Sequence, residues 1–114
     1  MLSIDTLKDF GANVSEGLDR CLNNESFYLR LVKTAAHDQN FEKLADAARK
    51  GDLSAAFEAA HALKGVMANL SLTPILEPVS EMTELLRAGK EMDYGSYLKQ
   101  IDDARQALLS LCKD

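Results

Sequence analysis

The chain has 114 residues, of which 46% are apolar and 27% are charged, and its net charge at pH 7 is −5. This length predicts one domain, residues 1–114. The acidic balance argues against nucleic acid and anionic membranes as partners, and no apolar run approaches the ~20 residues that span a bilayer. The N-terminal residues lack the basic start and apolar stretch of a signal peptide, so we expect a cytoplasmic protein. The initiating Met1 and the compact ends favour a free-standing protein, and we expect a monomer.

Two short helices are predicted at the N-terminus, within residues 3–21. Ser3 is the expected cap of the first, and Gly11 is the expected end. The second starts at Asn13, where the spacing to Glu16 is typical of a capping box. The pair Asn23-Asn24 follows and breaks the helical pattern.

A bundle is predicted over residues 25–112. Its first helix carries apolar residues at helical spacing from Glu25 to Lys50, with a polar stretch at 37–40 that is expected to kink or interrupt it. Gly51 is a natural helix stop and Asp52 a natural cap. The second bundle helix therefore runs from about Leu53 to Leu70.

Two further helices complete the pattern. Thr73 followed by Pro74 indicates a capping hydroxyl and a proline at the first helical position. Pro78 is expected to cause a kink or an incomplete first turn. Residues 89–95 form the longest loop candidate before the last helix. The predicted fold is all-α: an antiparallel up-down four-helix bundle with one or two short extra N-terminal helices.

The second bundle helix contains the most informative residues. A helix turns by ~100° per residue, which places Lys64 and Gly65 about 60° and 40° to either side of His61. The opposite face is an apolar stripe that must be buried, so His61 is expected to point outward. Glycine inside a helix costs ~1 kcal/mol relative to alanine, and Gly65 lies on the outward face. The pattern favours a site that an external molecule approaches closely.

The motif His61-x-Leu63-Lys64-Gly65, followed by Ala68 and Leu70, resembles the signature of histidine-containing phosphotransfer (HPt) domains of two-component phosphorelays. The stretch Gly17-Leu18-x-Arg20, with Tyr28-x-x-Leu31 after it, is similar to the lead-in before their first bundle helix. The segment 72–89 resembles their third bundle helix. The likeness covers about residues 14–110. Ser71 departs from the family pattern, in which many members have glycine at this helix end.

This resemblance implies that His61 accepts a phosphoryl group from an aspartate of a receiver (response regulator) domain and passes it on. A neutral imidazole is a nucleophile at cytoplasmic pH. The charge of Lys64 would disfavour imidazolium and offset the roughly −2 charge of the phosphoryl group. The partners implied are a receiver domain or a hybrid sensor histidine kinase. The domain needs no cofactor of its own, because Mg²⁺ is expected from the receiver.

A docking patch is predicted around His61. Phe57 projects about 40° from His61 on the same helix, and Leu72 about 20° if the helix continues that far. We define this docking patch by five residues: Phe57, Glu58, Gly65, Ala68 and Leu72.

Three other interpretations compete. A helical interaction module could bind and block a receiver or kinase without accepting phosphate, but such a module has no need of His61. A histidine-nucleophile phosphatase would need arginines and a second acid or base, and the flanking turns offer only Glu58. A metal or haem site using His61 and Met67 fails because the two lie on opposite helix faces.

The chain shows no glycine-rich phosphate loop, no acidic trio for Mg²⁺ and no ATP-binding pattern, so we expect a phosphoryl carrier rather than a kinase. Cys21 and Cys112 have no metal-binding spacing, and we expect reduced thiols that pack in the interior. His37 is expected to be an ordinary surface residue, and no metal site is predicted.

Overall fold

The computed structural model describes residues 1–113 and shows an antiparallel helical bundle. Its helices, in chain order, are α1 (Ile4–Phe10), α2 (Val14–Arg20), α3 (Glu25–Ala36), α4 (Asn40–Lys50), α5 (Leu53–Asn69), α6 (Thr73–Arg87) and α7 (Gly95–Leu111). The predicted fold class is confirmed. Within residues 1–113, no helix is both long enough and apolar enough to cross a bilayer.

Three helices and one broken arm form the bundle. The first arm consists of α3 and α4, which the polar residues 37–39 interrupt as predicted. The α5 helix packs against both α4 and α6, while α7 packs against α6 and α3. The apolar face of α5 is buried at Ala56, Ala60, Leu63 and Met67. Because this stripe fixes the rotation of α5, it also fixes which residues face outward.

Short polar signals set most helix ends. Ser3 caps α1 through its side chain, and Asn13 and Asp52 do the same for α2 and α5. Gly11 and Gly51 end their helices in the left-handed conformation, with φ of 109° and 75°. These backbone angles cost glycine little, which explains why the sequence signals at these positions were reliable.

The cap that was predicted for α6 is wrong. The cap is Leu72, which makes no side-chain cap hydrogen bond, and Thr73 is already the first helical residue. Of the two outcomes expected at Pro78, the structure contradicts the incomplete first turn, because the helix is continuous through this residue. The kink stays a prediction. A proline removes one intrahelical hydrogen bond, and the buried residues Ile75, Val79 and Met82 hold the helix on both sides of it.

The two N-terminal helices close one end of the bundle. The backbone N–H of Asn13 donates to the backbone oxygen of Ser71 at 3.0 Å. A Cβ on Gly11 would lie 3.1 Å from the ring of Pro74. The helices α1 and α2 therefore cover the turn between α5 and α6, at the end toward which α5 runs.

The two cysteines lie where packing residues are expected. Cys21 is buried and Cys112 is half-buried. Neither takes part in a disulfide.

Candidate functional site

His61 lies near the middle of α5 and is exposed. Its imidazole stacks on the Phe57 ring, with ring centroids 5.6 Å apart and an interplanar angle of 17°. Among residues 1–113, no side chain or backbone group forms a hydrogen bond with its ring nitrogens. The ring is thus oriented by stacking, and both nitrogens remain available to an incoming molecule.

One side of His61 is open. Gly65 is exposed, and a Cβ built on it would meet no heavy atom within 4 Å. Glu58 is exposed and Ala68 half-buried on the same outward surface. No packing contact in the described chain therefore requires glycine at position 65, and its absence of a side chain leaves room above the helix.

The other side of His61 carries a charged cluster that α6 contributes. Lys64 Nζ lies 3.5 Å from Oε2 of Glu84, and Arg87 Nε lies 3.3 Å from Oε1 of the same carboxylate. The guanidinium carbon of Arg87 lies 5.0 Å from the Phe57 ring centroid, a cation–π distance. Glu84 therefore bridges two cations beside the His61–Phe57 stack.

The pKa of Glu84 is lowered from its usual value. The largest cause is its hydrogen bond with Arg87, and the positive charges of Arg87 and Lys64 add to it. The carboxylate is exposed, and it is ionised at neutral pH. A negative charge thus lies beside the Lys64 ammonium.

Sequence reasoning missed Glu84 and Arg87. Their spacing of three residues on a predicted helix is a visible signal for a charged pair. Their proximity to His61 depends on the antiparallel register of α5 and α6, which sets Phe57 beside Arg87 and Lys64 beside Glu84. Glu58 was therefore not the sole acid near the site.

The C-terminal end of α5 closes with a left-handed residue. Ser71 has φ of 55°, and the N–H of Leu72 donates to the oxygen of Met67 at 3.0 Å. The N–H of Ser71 donates to the oxygen of Ala68 at 3.2 Å, which completes a Schellman motif. The position where glycine is common in the resembled family thus has the backbone conformation that favours glycine.

This turn corrects the prediction for Leu72. The helix ends at Asn69, so the 100° periodicity no longer applies three residues later. Leu72 is completely buried. Leu72 therefore belongs to the core and is not part of the docking patch.

Arg20 caps the same helix end. Its Nη1 donates to the backbone oxygen of Ala68 at 3.0 Å and to Oγ of Ser71 at 2.7 Å, while its Nη2 pairs with Glu16. A cation at a helix C-terminus is favourable because the last carbonyls there lack partners and carry partial negative charge. Ser71 thereby accepts a hydrogen bond from Arg20 through its hydroxyl, which a glycine at this position could not do.

Gly17 and Tyr28 fix the end of α5 from the other side. The Tyr28 hydroxyl donates to the backbone oxygen of Leu70 at 2.8 Å. A Cβ on Gly17 would lie 2.6 Å from the Tyr28 ring and 2.8 Å from that same oxygen. Burial raises the pKa of Tyr28 to about 12, with the nearby Cys21 adding to the shift. The lead-in residues of the sequence therefore converge on the end of the His61 helix.

The second histidine has different surroundings. His37 follows the end of α3, and its Nδ1 lies 3.0 Å from the backbone oxygen of Lys33, a distance at which Nδ1–H donates to that oxygen. It caps its own helix and has no aromatic neighbour among the described residues. This arrangement agrees with the prediction of an ordinary surface residue.

Searches among curated proteins and solved structures gave no significant match. The family model described as the Hpt domain matches residues 29–111, from the first bundle arm to the last residue of α7. Hpt domains are helical phosphocarrier modules of two-component relays that interact with receiver or kinase domains and have no kinase activity of their own. Because the match covers well over half of the chain, the protein belongs to the Hpt domain family.

Proposed function

We propose that His61 accepts a phosphoryl group from an aspartyl phosphate of a receiver domain and passes it to an aspartate of a receiver domain. The observation that carries this proposal is the exposed imidazole, stacked on Phe57 and without a hydrogen-bond partner in residues 1–113. The open space over Gly65 supports it, because a receiver must bring its carboxylate close to the ring.

The transfer balances without a further reactant. A lone pair on one ring nitrogen of His61 attacks phosphorus, so an N–P bond forms while the bond between phosphorus and the aspartyl oxygen breaks. The carboxylate leaves with the electron pair. The other ring nitrogen retains its proton or gives it to water. The reverse sequence delivers the group to the next receiver, and we propose that Mg²⁺ comes with that partner.

Lys64 supplies the nearest positive charge on α5. It lies one turn after His61, where side chains share a helix face. Its flexible four-carbon stem carries a compact charge that can reach the phosphoryl oxygens. We assign it a supporting role, because it forms no covalent bond in the transfer.

The charged cluster favours a carrier over a phosphatase. A general acid near His61 would need a pKa close to the working pH. Glu84, the acid that the structure adds to the site, has a lowered pKa and two cationic partners. It is a poor proton donor, so Glu84 is not suited to act as a general acid in hydrolysis of the phosphohistidine.

The decisive experiment is phosphotransfer from a receiver domain carrying a labelled aspartyl phosphate. The wild-type protein should acquire label that is labile in acid and stable in alkali, the behaviour of phosphohistidine. The variant His61→Gln should acquire none and keep its helical circular dichroism spectrum. The matched control His37→Gln should label normally, and loss of label in that control would refute the assignment of His61.

A further inference from the structure

We propose that Glu84 is a positioning residue that holds the Lys64 ammonium before phosphorylation, loses it to the phosphoryl group afterwards, and thereby limits the lifetime of phosphorylated His61. This inference rests on the proposed function for its phosphorylated state. It assigns a role to a residue of α6 that the histidine motif does not contain.

Glu84 and a phosphoryl group on His61 would compete for one cation, Lys64. Lys64 Nζ is already 3.5 Å from Oε2 of Glu84. A phosphoryl group on His61 brings about two negative charges and three acceptor oxygens to the same helix face. The ammonium has three N–H donors on a rotatable stem, so the dianion can draw it away from a single carboxylate oxygen.

Arg87 lowers the free-energy cost of moving Lys64 from Glu84 to the phosphoryl group. Arg87 Nε stays 3.3 Å from Oε1 of Glu84, and its guanidinium is held over the Phe57 ring. When Lys64 leaves, Glu84 still has a cationic partner and remains exposed to water. The carboxylate therefore needs neither to move nor to take up a proton.

The contact between Lys64 and Glu84 would shorten the retention of the phosphoryl group on His61. Any time that Lys64 spends with Glu84 is time in which the phosphoryl group lacks that counter-charge. A carrier must release its phosphoryl group to the next partner, so a contact that weakens its retention suits transfer. Removing the charge of Glu84 should leave Lys64 fully available and prolong the phosphohistidine.

The test measures the lifetime of phosphorylated His61 in the absence of any receiver. The protein is phosphorylated with phosphoramidate, a small donor whose P–N bond breaks as the new N–P bond forms and ammonia leaves. The excess donor is removed, and the loss of label is followed at pH 8. Failure of receiver-dependent transfer would then count against the proposed function alone, since this measurement needs no receiver.

The expected result is a half-life about three times longer in Glu84→Gln than in the wild type, an effect of the size that exposed charge pairs produce. The matched control is Glu81→Gln, which removes an exposed carboxylate from the same helix that has no ion pair among residues 1–113. Its half-life should equal that of the wild type. The gain in Glu84→Gln should shrink at high salt, because salt screens exposed charges.

A double-mutant cycle shows whether Glu84 acts through Lys64. Lys64→Ala alone should shorten the half-life about three-fold, and adding Glu84→Gln to it should change nothing further. A half-life longer in the double variant than in Lys64→Ala alone would mean that Glu84 repels the phosphoryl group directly. That result would overturn the proposal. An unchanged or shorter half-life in the single variant Glu84→Gln would overturn it as well.

Discussion

The C-terminal end of α5 and the outward face around His61 differ in how fully their polar groups are hydrogen-bonded. At the closed end of α5, residues 68–72, Arg20 donates to the Ala68 carbonyl and Tyr28 donates to the Leu70 carbonyl. The backbone N–H groups of the Schellman turn donate to the last helix carbonyls as well. On the open face, residues 57–65, the His61 imidazole makes no hydrogen bond within the described chain, and a Cβ added to Gly65 would meet no atom beyond its own stretch of helix. Packing thus requires glycine at position 17, whereas no packing contact among the described residues requires it at position 65.

We expect the largest loss of stability at the closed end from a substitution of Gly17. Replacement by alanine places a methyl group 2.6 Å from the Tyr28 ring and 2.8 Å from the Leu70 oxygen, so the closed end must shift. We expect the free energy of unfolding to fall by about 1–3 kcal/mol, the usual cost of overpacking. Urea denaturation monitored by circular dichroism measures this change.

Gly65→Ala is the matched control for that measurement. No atom lies within 4 Å of its new Cβ, so we expect a gain of about 0.5–1 kcal/mol from improved helix propensity. Equal losses of unfolding free energy in Gly17→Ala and Gly65→Ala would mean that packing constrains both glycines alike.

Tyr28 offers a second measurement on the closed end. Tyr28→Phe leaves the Leu70 oxygen without its donor, and we expect a loss of about 1–2 kcal/mol near neutral pH. The wild type should also lose stability as pH rises from 10 to 12, because the unfolded tyrosine ionises near its ordinary pKa of 10.0 while the folded one has a pKa of about 12.

The sign of this effect follows from proton binding. Between pH 10 and 12 the unfolded chain holds fewer protons at Tyr28 than the folded chain, so ionisation favours unfolding. The full contribution is therefore present below pH 10 and disappears above the folded pKa. In Tyr28→Phe this part of the alkaline loss should be absent, and the stability difference from the wild type should narrow with pH.

The open face is tested by Gly65→Gln. Glutamine is a good helix former without charge, so the melting temperature should be equal or slightly higher. Transfer from a phosphorylated receiver should slow about ten-fold, corresponding to about 1.4 kcal/mol of lost docking. Gly65→Ala should transfer at nearly the wild-type rate, and full activity in Gly65→Gln would assign this glycine a role other than clearance.

Much of this arrangement could be predicted from the sequence because it depends on local rules. The caps at Ser3, Asn13 and Asp52 and the stop at Gly51 act within one helical turn. The outward direction of His61 follows from the periodicity of a single helix. These features need no knowledge of how the helices pack.

The errors arose where local periodicity stops or where two helices meet. Leu72 was placed outward by extending the helix past a left-handed residue, Ser71, that redirects the chain. Glu84 and Arg87 were missed because their place beside Lys64 and Phe57 depends on the register between α5 and α6. The periodicity of a single helix and the capping rules do not predict how two helices align.

The convergence on the end of α5 also bears on where the cooperative folding unit begins. The family match starts at residue 29, immediately after Tyr28, and thus excludes the hydroxyl, the guanidinium and the glycine that secure this end. A fragment trimmed to the matched segment would keep His61 and its neighbours but leave the Leu70 and Ala68 carbonyls without these donors. Amide hydrogens in the last turns of α5 would then exchange faster with solvent. The segment that the family model recognises is in this sense shorter than the unit that holds the His61 helix in place.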